Sequence, residues 1–152
     1  MEPRIQGKKH QFEPLSYQVI GACIDVQRQL GIYCMEVDYQ RALEIALPKF
    51  GVEFEREVQI PIVYDGVTVT KRRVDFVCWD KKDRLLLETK AAQAIRPDDV
   101  IQCLLYVTKG NQKLVLLVNA KKEIQWAHSE ICSTRLWTLA NCTKSTASRA
   151  VR

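Results

Sequence analysis

At Val52 the hydrophobic period of this chain changes, and that change sets its class. Upstream, Leu15, Val19, Ala22/Cys23, Val26 and Leu30 recur at three- and four-residue intervals, as do Met35, Tyr39, Ala42/Leu43, Ala46/Leu47 and Phe50. Both stretches predict amphipathic helices, the first with Ser16 near its start and Gly31 as its stop, the second ended by Gly51. Downstream, Val52, Phe54, Val58, Ile60, Ile62 and Tyr64 alternate with polar or charged residues, up to the hairpin dipeptide Asp65-Gly66. A partner strand begins at Val67 and continues through Arg73 to Trp79; the polar turn Asp80-Lys81-Lys82-Asp83 then leads into Arg84 to Ala91. Three antiparallel strands result.

Pro97 followed by Asp98-Asp99 opens a further helix, with proline in the first turn and acids at the positive end of the dipole. It should run to about Thr108 and stop at Gly110. Lys113 to Asn119 suits a buried strand, and Glu123 to Trp126 an edge strand. The order helix, helix, three strands, helix, strand is an α/β fold in which helices flank a small mixed sheet.

At 152 residues there is room for one such domain. It is expected at 15–127, after a polar segment at 1–14 and before a tail at 128–152 whose Ser/Thr/Ala/Arg-rich end should be disordered. No apolar run approaches the ~20 residues that span a bilayer, and 1–14 lacks the apolar stretch of a secretory signal. No membrane partner and an intracellular address, cytoplasm or nucleus, are therefore expected. The six cysteines (Cys23, Cys34, Cys78, Cys103, Cys132, Cys142) are scattered without a CxxC pair and read as reduced core thiols. The formal charge of +5 is concentrated late: from Lys121 onward there are six Lys/Arg against two Asp/Glu, leaving 17 against 16 before it. Attraction for a polyanion must then come from local patches such as Lys71-Arg72-Arg73. Neither His10 nor His128 lies in a core segment, and no glycine-rich phosphate loop or zinc spacing exists, which argues against triad, phosphate-loop and zinc chemistry.

If Asp80 to Asp83 is a symmetric turn, Trp79 faces Arg84, and counting outward places Asp75 opposite Glu88. Strand alternation puts Lys90 on the same face as Glu88, while Thr89 joins Phe76, Cys78, Leu85 and Leu87 on an apolar face. Two facing carboxylates repel unless something positive sits between them. One solution is a checkerboard of ion pairs, Asp75 with Lys90 and Glu88 with Arg73. The other is a hard divalent cation, Mg²⁺ or Mn²⁺, which takes oxygen ligands and would act on a phosphate, with Lys90 beside it.

Asp75 in Arg73-Val74-Asp75-Phe76, followed by Glu88-Thr89-Lys90, resembles the signature of the PD-(D/E)XK nuclease superfamily, whose α-β-β-β-α-β core has the element order read above. Gln102 and Tyr106 resemble the QxxxY motif of its RecB-like branch. Leu30-Gly31 with Glu36, Tyr39 and Ala42-Leu43 resembles the GxxExxY family, as do Gln59 to Gly66 and Leu116 to Asn119. The likeness covers roughly Ser16 to Ala120. Tyr33 replaces the family's second glycine, Gln27 stands where a histidine is common, and Val74 replaces the proline of the superfamily name.

The resemblance implies a restriction-endonuclease-like fold (α-α-β-β-β-α-β) and a Mg²⁺- or Mn²⁺-dependent nuclease. Asp75, Glu88, the Thr89 carbonyl and Glu36 would hold metal, and Lys90 would serve the attacking water. Gln102 and Tyr106 would support the site, while Lys71, Arg72 and Arg73 would contact nucleic acid, DNA ahead of RNA, with a homodimer as one possible state. The close C-terminal cysteine group of the cluster-bearing relatives is missing, so no iron-sulfur cluster is expected. A non-catalytic nucleic-acid- or protein-binding module on the same fold is the alternative.

Overall fold

The computed structural model describes residues 14–121, and the backbone at 124–128 and 137–138. Two helices, α1 (Leu15–Leu30) and α2 (Glu36–Lys49), precede the long strands β1 (Glu53–Tyr64) and β2 (Val67–Trp79) and the shorter β3 (Arg84–Lys90). Then come α3 (Pro97–Thr108), β4 (Leu114–Asn119), β5 (Ile124–His128) and β6 (Trp137–Thr138). The strands lie in the order β1-β2-β3-β4-β5-β6, with only the β3–β4 pair parallel. The crossover through α3 makes that parallel pair possible.

Helix ends follow their chemistry. Asp38 accepts a hydrogen bond from the Met35 N–H at 2.8 Å, and Asp99 one from the Arg96 N–H at 2.9 Å, each closing the first turn. Met35 is thus a cap and exposed, rather than the start of a buried stripe as the periodicity suggested. In the β1–β2 turn, Asp65 and Gly66 both have positive φ, 48° and 75°, the conformation an Asp-Gly hairpin turn adopts.

The expectation of one apolar and one charged sheet face needs correcting, because both faces are buried. Phe76, Cys78, Leu85 and Leu87 pack with α1 and α2, and Val77, Leu86, Val115 and Leu117 pack with Cys103 and Tyr106 of α3. The crossover helix covers the second face and confines the charges to the end of the strands. Of the thiols, Cys23, Cys78 and Cys103 are buried and Cys34 is half-buried, all free; burial pushes the Cys23 thiol up to about 12. Cys132 and Cys142 lie outside the described residues, as does the expected tail apart from His128 and the β6 pair Trp137–Thr138. No described helix is long and apolar enough to cross a membrane.

The turn after α3 is tight. A Cβ at Gly110 would sit 2.8 Å from the Tyr106 carbonyl oxygen and 2.9 Å from Ile60 Cγ2. Gly110→Ala should therefore destabilise the protein by roughly 1–3 kcal/mol through overpacking, read as a lower urea midpoint at unchanged slope. An unchanged midpoint would show that α3 can move off β1.

Candidate active site

The expected register holds from Trp79↔Arg84 to Phe76↔Leu87 and then gives way. At the next position Asp75 does not simply face Glu88. Its carboxylate turns toward β3, where Oδ2 accepts the Thr89 N–H at 2.8 Å and the Thr89 hydroxyl at 2.9 Å. A side chain has taken over the role of the backbone ladder. The distortion is visible on both sides. Val74 and Val77 belong to the same core cluster, which strict alternation would forbid. On β1 the pairing skips Glu57, opposite Asp75, and Glu57 has φ 55°.

Glu88 is buried, and it accepts a hydrogen bond from the Tyr106 hydroxyl at 3.2 Å on Oε1. Gln102 Nε2 donates to Tyr106 Oη at 3.0 Å, and that hydroxyl also lies 3.1 Å from the Arg73 carbonyl oxygen. Tyr106 therefore reaches both β2 and β3, with Gln102 bonded to it one turn earlier on α3, as the i, i+4 spacing allowed. Burial raises the Glu88 carboxyl to about 8, with the Asp75 charge adding to it and Lys90 and the Tyr106 hydrogen bond opposing it. Glu36, the first residue of α2, is raised as well, by burial and by Asp75 and Asp99 against the pull of Lys90. Gln40 Nε2, 3.4 Å from Glu36 Oε1 and 2.9 Å from Thr89 Oγ1, links this carboxylate to the residue that binds Asp75.

The checkerboard of ion pairs does not form. Lys90 Nζ lies 3.9 Å from Asp99 Oδ1 on α3, and Arg73 lies 3.8 Å from Glu57 on β1. Among the described residues neither Asp75 nor Glu88 has a cationic partner within 4.0 Å. The Arg73 pair is exposed on both sides and contributes little. Lys71 and Arg72 are exposed on β2 on the approach to Asp75, leaving the basic strip open to solvent.

A hard cation suits this donor set. The N–H and O–H donors reach Asp75 on Oδ2 and Glu88 on Oε1, and the two carboxyls also meet in a side-chain hydrogen bond of their own, a proton-sharing contact that a divalent cation could replace. No three of the described His, Cys, Asp and Glu side chains converge on a point, but Mg²⁺ is often held by one or two carboxylates completed by water and substrate phosphate.

Several residues of this site escaped the sequence reading. Arg56 reaches the Asp75 carbonyl oxygen with Nε at 3.2 Å, Gln40 Oε1 with Nη2 at 2.8 Å, and Glu44 in an ion pair, its guanidinium 4.5 Å from the centre of the Phe76 ring. Its signal was present: it occupies an inward slot between Phe54 and Val58. Asn119, buried at the end of β4, accepts the Ala92 N–H at 3.3 Å and donates to the Ala92 carbonyl at 2.8 Å, pinning the segment after Lys90. Gln27 bridges α1 to the Ala120 carbonyl at 2.7 Å.

A model of the PD-(D/E)XK nuclease superfamily matches residues 13–131. No curated protein and no solved structure matches the chain.

The Glu88 shift carries a sign for stability. A folded value above the unfolded one means that the native state keeps a proton the unfolded chain releases, so the contribution is full below the ordinary carboxylate range and is lost as pH rises toward 8. In EDTA, the melting temperature of the wild type should fall from pH 5 to pH 8, and Glu88→Gln should remove most of that fall and be the more stable protein at pH 8. A Glu88→Gln variant less stable than wild type at pH 8 would instead make Glu88 a structural ion-pair partner.

Proposed function

The chain belongs to the PD-(D/E)XK nuclease superfamily, and from that premise we propose that it is a Mg²⁺- or Mn²⁺-dependent nuclease hydrolysing nucleic-acid phosphodiester bonds. The observation that carries the proposal is the Asp75–Glu88 pair itself: two carboxylates brought together where β2 leaves β3, with no protein cation within 4.0 Å of either among the described residues. Burial and the neighbouring Asp75 charge push the Glu88 carboxyl far above its ordinary range, a perturbation that clusters at functional sites.

In this reading Asp75 and Glu88 hold the ion with the Thr89 carbonyl, and Glu36 joins them from α2. When bound, a divalent cation supplies positive charge to the scissile phosphate and makes water more acidic. Lys90, a quarter exposed and tethered only at 3.9 Å by Asp99, orients the attacking water, takes or relays its proton and offsets charge as the bond breaks. Tyr106 and Gln102 fix Glu88 from α3. Lys71 and Arg73 share one face of β2, about 6–7 Å apart along the strand, with Arg72 on the other face, and in this reading the exposed cations attract the phosphate backbone of a strand entering the site. The hydrogen bonds of Gln102 and Tyr106 and the position of Glu36 support the RecB-like branch and the GxxExxY family within the superfamily.

The test is incubation of the purified protein with single-stranded, duplex and branched DNA and with RNA, with and without Mn²⁺. Cleavage should require the metal, and Lys90→Ala should slow it by roughly 10²-fold or more. Metal-dependent cleavage that survives Lys90→Ala contradicts the assignment; tight nucleic-acid binding with neither cleavage nor Mn²⁺ uptake identifies a binding module.

A further inference from the structure

Between β1 and the carboxylate pair, every hydrogen bond runs in one direction. Arg56 Nη2 donates to Gln40 Oε1 at 2.8 Å, Gln40 Nε2 donates to Thr89 Oγ1 at 2.9 Å, and Thr89 Oγ1 donates to Asp75 Oδ2 at 2.9 Å. The polarity is forced by the chemistry of the groups. A guanidinium has only donors, so Arg56 must face the amide oxygen of Gln40 and turn its NH₂ toward Thr89. A hydroxyl has one proton; with its oxygen already accepting from Gln40, Thr89 is left to give that proton to Asp75. Glu44 neutralises the far side of Arg56, and Phe76 lies beneath the guanidinium.

The relay also reaches the third carboxylate. Gln40 Nε2 lies 3.4 Å from Glu36 Oε1, one helical turn away, so the same amide addresses the carboxylates of α2 and β2. Gln40 and Thr89 are both buried, which makes an unmatched donor or acceptor at either position costly and the one satisfied arrangement strongly preferred. The outcome at Asp75 is specific: Oδ2 is occupied twice by Thr89, and the carboxylate can rotate only by breaking both bonds.

We propose that Arg56, Gln40 and Thr89 are positioning residues that lock Asp75 in a single orientation, with one oxygen engaged by the protein and the other presented to a divalent cation. The inference rests on the nuclease reading of the same site. It assigns Thr89, the middle residue of Glu88-Thr89-Lys90, a role for its side chain, and it makes α2 part of the metal-binding apparatus rather than only a cover for the sheet.

The experiment is calorimetric titration of Mn²⁺ into the metal-free full chain, comparing wild type with Thr89→Val, Thr89→Ser, Gln40→Met and Asp75→Asn. Thr89→Val keeps the shape and the backbone N–H but removes the hydroxyl; Gln40→Met removes the amide. Each should weaken Mn²⁺ binding by about 10–100-fold, and Thr89→Ser should restore it. The Gln40→Met/Thr89→Val double variant should bind no more weakly than the worse single variant, because both break one chain. Melting curves in EDTA identify which variants are folded, and either single variant suffices if the other is not. Wild-type affinity in folded Thr89→Val or Gln40→Met, with uptake abolished in Asp75→Asn, overturns the relay and leaves the nuclease reading standing. Absence of Mn²⁺ uptake by the wild type overturns both.

Discussion

Asp75 and Glu88 meet at the end of a sheet whose two faces are already buried, and the repulsion between them is the constraint around which the neighbouring structure is arranged. Among the described residues donors rather than a cation meet them: the Thr89 amide and hydroxyl for Asp75, the Tyr106 hydroxyl for Glu88. The donors come from different elements, β3 for Asp75 and α3 for Glu88, while the two carboxyls stay close enough to hydrogen-bond each other. The raised Glu88 carboxyl is the remaining cost of that arrangement in the absence of metal.

The fold provides this geometry through one local departure from regularity. β2 pairs with β3 for four residues, then separates as the Asp75 side chain intervenes, and Glu57 on β1 takes a left-handed conformation across from it. The site forms in the opening. Lys90 lies at the carboxyl end of β3, in the parallel part of the sheet, the end at which open α/β sheets commonly bind ligands. The crossover through α3 brings Asp99 to Lys90 and Tyr106 to Glu88. Packing and chemistry therefore share α3.

Much of this was legible in the chain because periodicity and turn chemistry act locally. The two helical stripes, the Asp65-Gly66 hairpin and the Pro97 helix start all fall where their patterns put them, and the symmetric turn at Asp80–Asp83 gave the correct register as far as Phe76 and Leu87. Extrapolation failed at the next pair, since counting along a ladder cannot anticipate a side chain that replaces a rung. The expected pairing of Asp75 with Lys90 and Glu88 with Arg73 failed for a related reason: each cation found an acid on an element that the hairpin alone does not contain, Asp99 on α3 and Glu57 on β1. Gln40 and Arg56 were visible only as irregularities, a polar residue on the buried side of α2 and a cation in an inward strand position. Their partners are distant in sequence, and only the folded chain shows them as parts of one network.

The central claim is that Asp75 and Glu88 share a divalent cation. Anomalous scattering from a crystal grown with Mn²⁺ tests it most directly. The account predicts a peak between the two carboxylates, about 2.0–2.3 Å from a free oxygen of each, with Asp75 still bonded to Thr89 through its other oxygen. A peak elsewhere, or none at saturating Mn²⁺ with Lys90 or Arg73 turned in to pair with the acids, would contradict it.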